Sequence, residues 1–264
     1  METILKILDT RMTQPGMYGW FHIVSLVLMV AVTILFCRFG KNWDKRKVLL
    51  TTAITVVILE VYKQVNFSFV SESGFAFDYQ WYAFPFQFCS TPMYIGLLAG
   101  LTKKGKLHDG LCAYLATFAL FAGIGVMFYP CTVFTPKVGI NIQTMICHGS
   151  MVVLGVYLLY TGHVKLAHKT ILKAATVFAV CVALAAVMNE IAHASGLLQR
   201  ESFDMFYISP YSVSELPVYV QVQAVVPFPW CLVLYILGFS LAAYIMLLIA
   251  MGIAKLAKKP QPVQ

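Results

Sequence analysis

Residues 81–100 read WYAFPFQFCSTPMYIGLLAG. Aromatic residues open the stretch, Pro85 turns it, and Gln87, Cys89, Ser90 and Thr91 precede an apolar run holding Pro92, Gly96 and Gly100. In water this is a poor helix, because proline removes a backbone donor and glycine adds chain entropy. In a bilayer it reads as a kinked membrane-crossing helix. Neighbouring helices re-satisfy the freed backbone groups there, and glycines four apart let a partner approach closely. Polar groups at such a kink face a cavity or another helix, not lipid. The stretch therefore predicts a helical membrane protein and raises the question of what faces Cys89.

Composition agrees. Of 264 residues, 60% are hydrophobic and 11% charged, whereas soluble domains carry about 25% charged residues. Apolar runs of the length a helix needs to cross a bilayer recur from end to end. The expected fold is an all-α, polytopic transmembrane helical bundle with seven spans, near 18–37, 48–67, 81–100, 110–129, 142–160, 170–193 and 229–254. Residues 1–17 mix Ile4, Leu5, Ile7 and Leu8 with Lys6 and Asp9, which predicts an amphipathic helix in the interface. Residues 18–254 form the membrane domain. Residues 194–228 are too long for a simple turn and predict a lid, and residues 255–264 read as a tail. The first apolar run has no small-residue cleavage site after it, so it is expected to remain as a span.

The net charge of +8 sets orientation and does not indicate a nucleic-acid partner. Arg38, Lys41, Lys45, Arg46 and Lys47 follow span 1; Lys103, Lys104 and Lys106 follow span 3. Lys165, Lys169 and Lys173 follow span 5, and Lys255, Lys258 and Lys259 follow span 7. The opposite side holds Lys6, Arg11, Lys137 and Arg200. The positive-inside rule then puts the N-terminus outside and the C-terminus in the cytoplasm of a multi-pass cell-membrane protein. The seven cysteines form no CxxC or CxxxC pair, so no metal and no cofactor is expected. Most cysteines read as small apolar residues. A disulfide among Cys131, Cys147 and Cys231, or with Cys89, stays open for an oxidising outer side.

With that orientation, the polar residues of the spans gather on the outer side. His22, Asn66, Asn141, Gln143 and His193 lie there. So do the residues expected to line a site: Glu60, Lys63, Gln64, Gln87, Cys89, Ser90, His148, Asn189 and Glu190, with Tyr207 from the lid. Each has a plain reading as well. Glu60 and Lys63 are three apart and suit an intrahelical ion pair, and Lys63 alone can snorkel. His148 suits a hydrogen-bonded residue near a helix start. Asn189, Glu190 and His193 suit the wet end of a helix, and Cys89 suits packing.

The segments FPFQFCSTPMYIG, CHGSMVVLGVYLL and DMFYISPYSVSELPVYVQVQAVVPFPW together resemble the YwaF family of bacterial seven-span membrane proteins. That family is broadly related to the transmembrane protein 164 family, described as cysteine-centred phospholipid acyltransferases. The resemblance covers about residues 20–250. It implies Cys89 as the nucleophile and His148 as its partner. The family pattern often has Asn where this chain has Asp204. On this footing the expected function is a Cys/His-dependent lipid acyltransferase with membrane lipids as partners. Such chemistry needs a thiolate, a base or cation beside it, and oxyanion donors, for which Gln87 and Asn189 are candidates. The alternative from another class is a protein that binds or transports a small solute or lipid without catalysis; a third is a sensor or accessory subunit.

Overall fold

The computed structural model describes residues 9–69, 76–130, 132–196 and 203–257, and among these the regular elements are all helices, with no strand. The helices are α1 Trp20–Phe39, α2 Lys45–Phe69, α3 Thr91–Leu101, α4 Lys106–Phe128, α5 Val138–Tyr160, α6 His168–Ala194, α7 Tyr219–Val225 and α8 Trp230–Ala257. Six are long and apolar enough to cross a membrane; α3 is apolar but shorter.

The bundle is built around α4 and α5, the most buried of the long helices. Residues 115–119 of α4 form a π-helical turn in which every side chain is buried. Small residues bring these two helices together. A Cβ on Gly155 would lie 2.7 Å from the Cβ of Leu120, and one on Gly123 would lie 2.8 Å from the His148 carbonyl oxygen. α1 packs on α5, α2 on α3 and α5, and α6 on α4 and α8. The outer faces of α1, α6 and α8 expose residues such as Val27, Leu28, Val187, Leu184, Leu237 and Leu241. Apolar side chains at those positions are the surface a helix offers to lipid.

Residues 81–101 depart from the expected kinked helix. Pro92 lies in the first turn of α3 instead of its interior, and residues 84–90 have no regular helix. The reason is steric. A proline ring clashes with the carbonyl four residues back and offers no donor to it, so the helix cannot extend through Phe88. The segment nonetheless runs back along the whole of α2. The Gln64 side chain donates to the Ala83 carbonyl at 2.7 Å. A Cβ on Gly96 would lie 3.1 Å from that of Ala53, and Arg46 Nε donates to the Gly100 carbonyl at 2.8 Å.

The N-terminal expectation also needs correction where it can be seen. Residues 1–8 lie outside the described residues. Residues 9–16 are not helical: Arg11 bridges Lys137 in antiparallel fashion, and the Met12 N–H donates to the Pro136 carbonyl at 3.0 Å. Asp9 pairs with Lys137 at 3.2 Å. The link between α4 and α5 supplies the partners that a helix would otherwise have found within itself.

Residues 203–209, after α6, fold inward, whereas Tyr211, Val213 and Val218 are exposed. Met205, Phe206, Ile208 and Ser209 are buried. Phe206 stacks on Phe88 at 5.8 Å and lies near Phe86, Phe178 and the hydroxyl of Tyr235, which donates to the Phe206 carbonyl at 3.1 Å. The expected lid is thus a docked plug. Its backbone is unusual: Phe206 and Tyr207 both have positive φ, 63° and 56°. Each non-glycine residue there costs about 1–3 kcal/mol and persists only because its surroundings hold it.

Candidate functional site around Cys89

Cys89 lies two residues before α3. It faces a small cavity with Thr52, Ala53 and Val56 of α2, Pro92, Met93 and Gly96 of α3, Leu115 and Ala119 of α4, and Cys147, Ser150, Met151 and Leu154 of α5. The cavity volume is about 20 Å³, room for a single water. The π-helical turn of α4 forms one wall, a device frequent at functional sites. Thr52 and Ser150 also line a second space, an apolar groove of about 770 Å³ between α1, α2 and α5. Trp20, Leu28, Met29, Val32, Met145 and Ile146 furnish its walls. That volume falls within the range of ligand pockets. Two hydroxyl-bearing side chains therefore separate a thiol from a groove built for hydrocarbon.

His148 does not line this cavity. Its Nδ1 lies 2.8 Å from the Thr144 carbonyl, four residues earlier in α5, and its buried Nε2 has no partner among the described residues. The contact to a carbonyl assigns the proton to Nδ1 and leaves a lone pair on Nε2. Cys89 and His148 thus make no hydrogen bond with each other. The neighbour of His148, Cys147, does line the cavity, and its sulfur accepts from Gln143 Nε2 at 3.4 Å.

The other expected site residues separate into three groups. In the first, Lys63 Nζ pairs with Glu60 Oε1 at 2.8 Å, and Gln64 Nε2 donates to the same carboxylate at 2.8 Å. Glu60 is 7% exposed, so this triad is a buried network. It lies about one to two turns along α2 from the cavity residue Val56.

In the second group, Gln87 and Asn189 grip the plug. Gln87 donates to the Asp204 carbonyl and accepts from the Phe206 N–H, both at 2.8 Å. Asn189 donates to the Met205 carbonyl at 3.1 Å and accepts from its N–H at 2.8 Å. Both carboxamides are thereby bound through oxygen and nitrogen to the backbone of the plug. In the third group, the Tyr211 hydroxyl donates to Glu190 at 2.6 Å on the surface, with its ring stacked on His193. The helical walls of the cavity come from α2, α3, α4 and α5, so α4 lines it and α6 does not. α6 is diverted to the plug because buried backbone groups require partners.

Ser90 is buried, and its N–H donates to the Gln87 carbonyl at 2.8 Å. Tyr207 faces a separate polar pocket of about 270 Å³ with Tyr82, Gln87, Asp204, Ser212, Val213 and Glu215. There, burial pushes the Tyr207 hydroxyl up to about 12. Burial also raises Asp204, although its carboxylate accepts from the Ser209 N–H and the Ser212 hydroxyl, each at 2.8 Å. His22 is structural: Nδ1 accepts from the Tyr18 N–H and Nε2 donates to the Met127 carbonyl. Cys89, Cys147 and Cys231 are free thiols, so no disulfide joins them; Cys131 lies outside the described residues.

Sequence reasoning missed Thr52 and Ser150 as neighbours of Cys89, and considered Cys147 only as a disulfide partner. Their signal was only a small residue on an inward helical face. It also missed a convergence of His108, Cys112 and His163 at the opposite end of the bundle.

A family model described as the TMEM164 family matches residues 17–251. No curated protein and no solved structure matches the chain.

Proposed function

Because the chain belongs to the TMEM164 family, and its apolar helices make it a multi-pass membrane protein, we propose that it transfers acyl groups between membrane lipids through Cys89. One observation carries the reading: the Cys89 cavity and the large apolar groove share Thr52 and Ser150 as walls. An acyl chain lying in the groove would bring its ester toward the thiol across those two residues.

The chemistry balances as follows. The Cys89 thiol passes its proton to the Nε2 lone pair of His148 once a parting of α3 and α5 brings the two together, since His148 lies outside the closed cavity. The thiolate attacks the ester carbonyl; an S–C bond forms and the C–O bond to the lysolipid breaks. The leaving alkoxide takes the proton back. An acceptor hydroxyl then attacks the thioester by the same steps in reverse. The room for one water beside Cys89 means that α3 and α5 must part for the ester to reach the sulfur.

The reading extends to the YwaF branch suggested by the FPFQFCSTPMYIG and FYISPY segments. It also includes seven passages with the N-terminus outside and the C-terminus in the cytoplasm of the cell membrane. The broken stretch 84–101 serves as the third passage, since it covers the full length of α2.

The test is lipid remodelling by purified protein in vesicles of defined phospholipid, followed by mass spectrometry of lipids and of Cys-containing peptides. Cys89→Ser is expected to abolish transfer while the chain still inserts, and a hydroxylamine-sensitive acyl adduct should appear on Cys89. Full transfer by Cys89→Ser would refute the enzyme reading. The groove equally suits a lipid-binding protein without chemistry, and that second reading would then lead if lipid still co-purified with the variant.

A further inference from the structure

His108 and Cys112 stand four residues apart on the first turns of α4, and so on one helical face. His163 comes from the link between α5 and α6. The three side chains meet end to end: His108 Nε2 lies 3.2 Å from His163 Nε2, and Cys112 Sγ lies 3.5 Å and 3.6 Å from those two nitrogens. Tetrahedral zinc bonds of about 2.05 Å to nitrogen and about 2.3 Å to sulfur would place the nitrogens about 3.4 Å apart and the sulfur about 3.5 Å from each. The triangle therefore has the dimensions of one face of a zinc tetrahedron. The two imidazoles meet edge to face, at 88°, and do not stack.

A second observation orients the set. His108 Nδ1 lies 2.9 Å from the Ala99 carbonyl, which places its proton there and leaves the lone pair on Nε2, facing the other two groups. A backbone carbonyl behind a ligating histidine is the usual outer support of a metal site. His108 and Cys112 are buried, whereas His163 is partly exposed. The fourth position then opens toward the surface.

We propose that His108, Cys112 and His163 bind a single zinc ion, with water in the fourth position. Binding displaces the Cys112 thiol proton to solvent, and the thiolate offsets one of the two charges of the ion. Asp109, Lys45 and Lys104 act electrostatically on His163 as well. The Asp109 carboxylate is paired with Lys173 at 2.8 Å, so it is not a fourth ligand. The site ties the start of α4 to the α5–α6 link. It lies beside Ala99 at the far end of α3 from Cys89, has none of its three residues in the Cys89 cavity, and does not depend on the acyl-transfer reading.

The experiment uses the full chain, purified in detergent without chelator. Zinc measured by elemental mass spectrometry is expected at about one ion per chain. Replacement by Co²⁺ should give visible d–d bands and a near-ultraviolet thiolate-to-cobalt band. The thiolate band should vanish in Cys112→Ser, and bound metal should fall at least tenfold in His163→Ala. His163 lies outside the helices, which makes that variant the safer one for folding; circular dichroism checks both. In wild type, chelation should lower the melting temperature, and in His163→Ala it should have no effect. Absence of a thiolate–cobalt band in wild type, or its persistence in folded Cys112→Ser, would overturn the proposal in favour of a metal-free hydrogen-bonded cluster.

Discussion

Asn189→Ala tests how the plug is held. Asn189 is 1% exposed and Met205 fully buried, and one carboxamide satisfies both the N–H and the carbonyl of Met205. Truncation leaves two buried backbone groups unpaired, at about 1–3 kcal/mol each, so the loss should be about 4 kcal/mol. The residues that follow, Phe206 and Tyr207, sit at positive φ and gain by relaxing once released. For a chain of this size that loss corresponds to roughly 10 °C in melting temperature. Glu190→Gln, one residue on, touches only the exposed Tyr211 hydroxyl and should shift stability by no more than about 0.5 kcal/mol. The assay is thermal unfolding in detergent together with hydrogen exchange of peptides covering residues 203–212. Asn189→Ala should lose protection there while α4 and α5 keep theirs. If those peptides stay protected and the melting shift is no larger than that of Glu190→Gln, the carboxamide does not hold the plug and the reasoning fails.

Three further outcomes can be measured. Lys63→Met removes one partner of the buried Glu60 pair and should cost about 3 kcal/mol in unfolding, with most of it recovered in the double variant Glu60→Gln/Lys63→Met. Asp204 has its folded-state pKa raised by burial, so the native state holds this proton more tightly than the unfolded chain. Its favourable contribution is full below the unfolded pKa and is lost as pH rises through the folded value. Asp204→Asn does not titrate, so its stability relative to wild type should increase as pH climbs through that window; a gap constant with pH would refute the assignment. A reporter fused after Gln264 should be active only if it functions in the cytoplasm, and activity on the outer side would overturn the proposed orientation.

Apolar length and the rarity of charge determined the helical membrane class from the sequence alone, because a lipid solvent leaves a chain few other ways to pair its backbone. The spacing of Gly96 and Gly100 was also legible, and both glycines do let α3 lie against α2. Pro92 reads as a kink inside a helix, and the structure puts it in the first turn instead. The site was harder to read, for a geometric reason. Successive residues of a helix point about 100° apart, so depth in the membrane, which the sequence gives, does not say which way a side chain faces. Cys147 and His148 share a depth, yet only Cys147 lines the cavity with Cys89. Gln87 and Asn189 looked like pocket residues; what recruits them is the backbone of residues 204–206, whose inward fold no local pattern announces. The same limit hid the His108, Cys112 and His163 cluster. The four-residue spacing of its first two members lies on one helix, but the third arrives from a link 51 residues after Cys112, and only the packing of α4 against that link brings it within reach.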